Sequence, residues 1–192
     1  GPKGTVVRLQ TLSKGDLTAL PDTVRMIREK IKLEDESAKG EIISYSEDEL
    51  NYRVGVITLP SFYIDFEERS AGIQNYKSTT RDVSILLDSL NKLEMDALVI
   101  DLRYNGGGSL DEAIDLTGLF IPSGPVVQVR NTDKSIDILS DNNPRVLYSG
   151  PLAVLENRYS ASASEIFAAA IQDYKRGVVF GENSFGKGTV QS

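Results

Sequence analysis

Three short segments of this 192-residue chain hold the residue types from which a reaction could be built. The first, Asp101-Leu102-Arg103-Tyr104-Asn105-Gly106-Gly107-Gly108, ends in a glycine run that frees backbone N–H groups to face an anion. That anion could be a phosphate or the oxyanion of an acyl-transfer intermediate. The phosphate reading is the poorer one. The Lys-Ser/Thr ending of a P-loop and the spaced glycines of a dinucleotide loop are both missing, and only Ser109 and Asp111 stand nearby as ligands for an accompanying metal. The second segment, Ser160-Ala161-Ser162-Ala163-Ser164-Glu165, offers hydroxyls among small residues, but Ser162 and Glu165 also have the spacing of a helix capping box. The third, Phe185-Gly186-Lys187-Gly188-Thr189-Val190-Gln191, sets one lysine between two glycines. A solvated surface lysine is its plain reading, and a buried base its chemical one.

Two absences narrow the chemistry. The chain contains no His and no Cys, which excludes a Ser-His-Asp triad, a Cys nucleophile, an imidazole or thiolate metal site and a disulfide framework. A nucleophilic serine still needs a base, so an amine or a carboxylate must supply it. A lysine qualifies only where its surroundings let it be neutral near pH 7. No cofactor and no metal are expected. The net charge of −7, with Lys and Arg scattered, gives a polyanion little to bind, so nucleic acid is not an expected partner. Hydrophobic residues at 40% and charged residues at 26% describe a globular mix, and no run is long enough to cross a bilayer. Zero cysteine leaves the compartment open.

The elements that must position these segments follow from periodicity. Strands are expected at Val6–Leu12, after a turn over residues 1–4, and at Val24–Leu33, where helical spacing competes with β-branched content. Glu47-Asp48-Glu49 reads as a charged turn and Tyr52–Leu59 as the first strand of a sheet. From Thr79 to Met95, Val83, Leu86, Leu87, Leu90 and Leu93 form a helical stripe, with Thr79 and Asp82 in capping-box spacing. Ala97–Ile100 is a continuous apolar strand of the kind buried on both faces of a parallel sheet. A helix led by Ser109 and Glu112, a turn at Phe120–Gly124, strands at Val126–Arg130 and Pro151–Leu155, a helix at Ser164–Lys175 and a strand at Gly177–Phe180 complete the series. The alternation predicts an α/β sheet covered by helices, with its sites at the strand ends.

In order along the chain, the motifs Asp101-Leu102-Arg103…Asn105-Gly106-Gly107-Gly108, Gly118-Leu119-Phe120-Ile121-Pro122, Ser160 to Ile166, Gln172-Asp173-Tyr174 and Phe185 to Gln191 resemble those of the tail-specific, or C-terminal processing, protease family. The resemblance runs from about Val54 to Gln191. It implies a crotonase-like (ClpP-like) α/β serine protease core over residues 52–192, with residues 13–51 as connecting strands and linker. Residues 1–12 would be the last turn and strand of a PDZ domain. Ser162 would be the nucleophile and Lys187 the general base, 25 residues apart as in the family; neither Ser160 nor Ser164 gives that spacing. Gln191 would steady the lysine, Asp173 would play a supporting catalytic part, and the oxyanion hole would combine the N–H groups of Gly108 and Ala163. The implied activity is an endopeptidase that recognises proteins by apolar C-terminal tails and passes through an acyl-enzyme. The implied compartment is the periplasm, and any adaptor or lipoprotein partner stays unidentified. A non-catalytic relative or scaffold with the same fold is the rival, separated by whether a fluorophosphonate labels Ser162. Gly1-Pro2 reads as a tag scar and Gln191-Ser192 as an interrupted end, so both ends read as cut.

Overall fold

The computed structural model describes residues 2–12, 20–29 and 37–189, and the chain divides into two compact units, residues 1–33 and 34–192. In the first, β1 (Val6–Thr11) and β2 (Asp22–Ile27) pair antiparallel, from Val6 opposite Ile27 to Thr11 opposite Asp22. The competition between helix and strand after Val24 is therefore won by the strand as far as Ile27. Residues 30–33 of that expectation lie outside the described residues.

The second unit begins with the hairpin β3 (Lys39–Glu47) and β4 (Leu50–Thr58), followed by the short helix α1 (Phe66–Ser70) and by α2 (Thr79–Lys92). Then come β5 (Ala97–Asp101), α3 (Leu110–Gly118), the hairpin β6 (Gly124–Arg130) and β7 (Ile136–Asp141), β8 (Leu152–Glu156), α4 (Ala163–Asp173) and β9 (Val178–Gly181). Five strands form one sheet in the order β3-β4-β5-β8-β9, parallel except for the edge pair β3-β4. Its centre is the apolar run of β5, with Leu98 and Ile100 buried beside Ile57 of β4 and Val154 of β8. Phe167 of α4 closes the core, its ring 6.5 Å from that of Phe62 and edge-on to Phe120 at 5.8 Å. Among the described residues, no helix is long and apolar enough to cross a membrane.

The expected α/β alternation is present, and the differences have local causes. β4 is not the first strand of its sheet: β3 precedes it at the edge, where Ile42, Ile43 and Tyr45 are set among polar residues and only Ile42 is half-buried. The charged turn between them bends through two left-handed residues, Asp48 (φ 47°) and Glu49 (φ 66°). The cap of α2 is Ser78, which accepts from the Arg81 N–H, because Thr79 is committed to the Tyr63 backbone at 2.8 Å. Helix α2 stops at Lys92 rather than Met95, where Glu94 turns left-handed at φ 55°. Among the described residues strand β6 does not join the large sheet; it pairs with β7, a strand whose exposed Ile136 and Ile138 flank Asp137.

One buried group at the end of β8 has a measurable consequence. Glu156 is buried with its Oε1 lacking a hydrogen-bond partner among the described residues. Burial, with the neighbouring Glu165 charge adding to it, pushes its carboxyl up to about 7. Between the ordinary value of 4.5 and about 7 the folded state holds a proton that the unfolded chain has lost, so stability falls as pH rises through that window. Glu156→Gln has no charge to bury. Urea melts from pH 4.5 to 8 should show the fall removed, with the variant more stable than the parent above pH 7 by at most roughly 3 kcal/mol.

Candidate active site

Parallel register aligns the strand ends. Thr58 of β4 lies opposite Asp101 of β5, Asp101 opposite Leu155 of β8, and Leu155 opposite Phe180 of β9, so the loops that follow these strands leave one edge of the sheet together. A fully buried residue, Asn105, ties three of them. Its Nδ2 donates to the Leu59 carbonyl (2.8 Å) and its Oδ1 accepts from Gly107 N–H (2.9 Å). Its own carbonyl accepts from Ala161 N–H (3.0 Å) and the Ser164 hydroxyl (2.9 Å). At the end of β5, burial pushes the Asp101 carboxyl up, but the Arg103 guanidinium, 2.6 Å away, outweighs it and holds the group below the usual carboxylate range.

The three serines of the second segment have separate fates. Ser160 is fully buried, donating to the Leu102 carbonyl at 2.8 Å and accepting from Asn157 N–H at 3.0 Å. Ser164 is fully buried on Asn105. Ser162 alone lines an open groove, at the N-cap of α4, with φ 59° and ψ −113°. L-residues avoid that conformation at a cost of about 1–3 kcal/mol, and sharp strand-to-helix turns of this sort expose nucleophiles in other α/β enzymes. The capping reading holds as well, since the Glu165 carboxylate accepts from Ser162 N–H at 2.7 Å. Gly107 makes the turn possible. A Cβ there would lie 2.7 Å from the Ala161 carbonyl oxygen and 2.8 Å from Ser162 Cβ, and its φ is +99°. The Gly107 N–H is taken by Asn105, whereas the N–H groups of Gly108 and of Ala163, the first of α4, have no acceptor among the described residues.

The lysine segment is held by the Ser160 carbonyl, which accepts from Phe185 N–H at 2.9 Å, and by one side chain, Glu165. Oε1 of Glu165 accepts from the Ser184 hydroxyl (2.7 Å) and Gly186 N–H (2.6 Å), while Oε2 accepts from Lys187 N–H (2.9 Å) as well as from Ser162. Burial pushes this carboxyl up, but the hydrogen bonds from Ser184, Ser162, Gly186 and Lys187 outweigh it, so the group ends below its ordinary value. Lys187 and Ser162 line the same groove of about 460 Å³, with Val126, Val127, Ile166 and Ala169 as its apolar wall. Lys187 is exposed, and no hydrogen bond joins its amine to Ser162 among the described residues. Asp173 closes α4 at the far end, 11 residues from Ser162 and roughly 16 Å along the axis; it is exposed and outside the groove. Gln191 lies outside the described residues. Sequence reading missed Asn105 as a hub, the second duty of Glu165 and the wall from β6, because each depends on pairing across loops that no local spacing encodes.

A family model described as Peptidase family S41 matches residues 53–192. Over 192 residues the chain is 45% identical to the tail-specific protease of Haemophilus influenzae, covering 100% of the chain and 25% of that protein. It is 33% identical over 192 residues to the carboxyl-terminal-processing protease of Synechocystis sp., again covering the whole chain and 40% of the relative. The solved structure of a photosystem II D1 C-terminal processing protease aligns with a TM-score of 0.68 and 27% identity over 100% of the chain and 47% of its own length. The chain thus spans between a quarter and under half of these relatives.

The glycine loop gives a paired test. Gly107→Ala should cost roughly 1–3 kcal/mol in urea denaturation, because both its φ and its contacts with the Ser162 turn forbid a Cβ. Gly106→Ala, where a Cβ would meet nothing within 4 Å, should leave the midpoint close to that of the parent.

Proposed function

Because the chain belongs to peptidase family S41, we propose that residues 52–192 are the catalytic core of a serine endopeptidase in which Ser162 is the nucleophile and Lys187 the general base. The observation that carries the reading is the groove. It holds a strained serine at a helix start on one side and a lysine fastened to the same helix by Glu165 on the other. A peptide lying there covers the amine and excludes water, and removal from water favours the neutral form of an amine.

In the reaction, Ser162 Oγ attacks the scissile carbonyl carbon and its proton passes to Lys187 Nζ. The oxygen that becomes negative is received by the N–H groups of Gly108 and Ala163. Collapse breaks the C–N bond and the leaving amine takes the proton from Lys187; water then gives its proton to the same lysine as it attacks the acyl carbon, and when the C–Oγ bond breaks that proton returns to Ser162 Oγ. Gln191 steadies the amine, and Asp173, exposed in the last turn of α4 and outside the groove, does not touch substrate. No metal or cofactor enters these steps.

The finer parts of the proposal rest on family resemblance: a crotonase-like core, residues 1–12 as the end of a PDZ domain, residues 13–51 as its connection, substrates recognised by apolar C-terminal tails, and a periplasmic location. The apolar wall of Val126, Val127 and Ile166 supports an apolar substrate segment.

Lysine substitutions test the base role. Lys187→Ala and Lys187→Arg should each lower kcat on an unfolded, apolar-tailed protein by roughly 100- to 10,000-fold, since arginine stays charged at every working pH. Substantial turnover by the arginine variant would refute it. Gln191→Ala should reduce kcat with little change in melting, whereas Asp173→Ala should act through stability, and the reverse pattern would exchange their roles.

A further inference from the structure

The two reactive groups of the groove are unequally held. Ser162 is fixed by its own helix and by the buried anchors on either side of it, Ser160 and Ser164. Lys187 stands on an exposed stretch where a Cβ added at Gly186 or Gly188 would meet nothing within 4 Å, so packing does little to locate it. What locates it is hydrogen bonding. Phe185 N–H donates to the Ser160 carbonyl at 2.9 Å, and the remaining donors, Ser184 Oγ, Gly186 N–H and Lys187 N–H, all converge on Glu165.

We propose that Glu165 is a positioning residue for Lys187: its carboxylate fastens residues 184–187 to the start of α4 and so sets where the amine stands relative to Ser162. The inference deepens the serine/lysine reading and rests on it. A capping box asks of this side chain only the bond to Ser162 N–H. Here three further donors come from outside the helix, two on Oε1 and one on Oε2, filling about four acceptor sites of a carboxylate. Charge matters as well as shape. Backbone N–H groups at the first turn of a helix favour an anion, and Glu165 stays ionised there below its ordinary range. An amide of the same size cannot replace it, because its NH2 would face two donors on whichever side it took.

The experiment uses the intact protein and follows fluorophosphonate labelling of Ser162 by mass spectrometry across pH, with a denaturation curve for each variant. Glu165→Gln should label at least roughly tenfold more slowly, with a displaced midpoint in the pH profile, and should lower kcat rather than raise KM on a peptide substrate. Ser184→Ala leaves the cap bond to Ser162 untouched and removes one tie to the lysine segment, so it should fold and show a smaller loss in the same direction. A Glu165→Gln variant that melts earlier yet labels with the parent's rate and pH profile would reduce Glu165 to a helix cap and overturn the proposal. If that variant does not fold, an unchanged rate and profile in Ser184→Ala would overturn it. A parent protein that is not labelled at Ser162 would instead overturn the catalytic reading, and this proposal with it.

Discussion

A serine held at φ 59° and ψ −113° is a conformation that the rest of this unit has to impose. The imposition comes from both sides of the residue. Ser160 is pinned to Leu102 and Ser164 to Asn105, both fully buried, so the chain between them has a fixed span in which the middle residue must turn outward. Gly107 presses against that turn from the neighbouring loop, at a distance that only a residue without Cβ permits. These contacts exist because β5 and β8 are adjacent and in register, which brings the loop after one strand against the loop after the other. The flanking serines are spent on the fold, and the central one is left facing the groove.

Electrostatics divides the nearby carboxyls into two kinds. Glu165 meets the N–H groups of a helix start and of the lysine segment, and stays ionised despite burial. Glu156, buried at the end of β8 without a partner for Oε1 among the described residues, is pushed the other way, in part by the charge on Glu165. Two ionised carboxylates here would cost more than one, and the environment favours charge on Glu165 by giving it four hydrogen-bond donors while, among the described residues, Oε1 of Glu156 has none. The amine of Lys187 therefore shares its groove with one well-satisfied anion.

Much of this was legible in the sequence, for reasons that show where legibility ends. The run Ala97–Ile100 announced a buried parallel strand, the stripe from Val83 to Leu90 announced a helix, and Ser109 with Glu112 marked where α3 begins. Ser162 and Lys187 stood out because no histidine or cysteine competes with them, and the family motifs gave them an order. Glu165 was visible only as a capping partner of Ser162, since three of its four donors lie some twenty residues away at Ser184, Gly186 and Lys187, and two of those are backbone groups that carry no sequence signal. Strands β3 and β7 escaped for a related reason: their few apolar residues, such as Ile43 and Ile138, stay largely exposed, and the pairing with β4 and β6 that makes them strands is written in backbone hydrogen bonds. Thr79 was misread as a cap because its hydroxyl is used across the fold by Tyr63.

If Ser162, Lys187, Gly108 and Ala163 act on one substrate carbonyl, a crystal structure of the intact protein with a peptide aldehyde should show a covalent bond from Ser162 Oγ, an adduct oxygen about 2.7–3.1 Å from the N–H groups of both Gly108 and Ala163, and Lys187 Nζ within hydrogen-bond reach of Oγ. An adduct on another residue, or one on Ser162 whose oxygen faces neither N–H while the lysine points to solvent, would contradict that shared action.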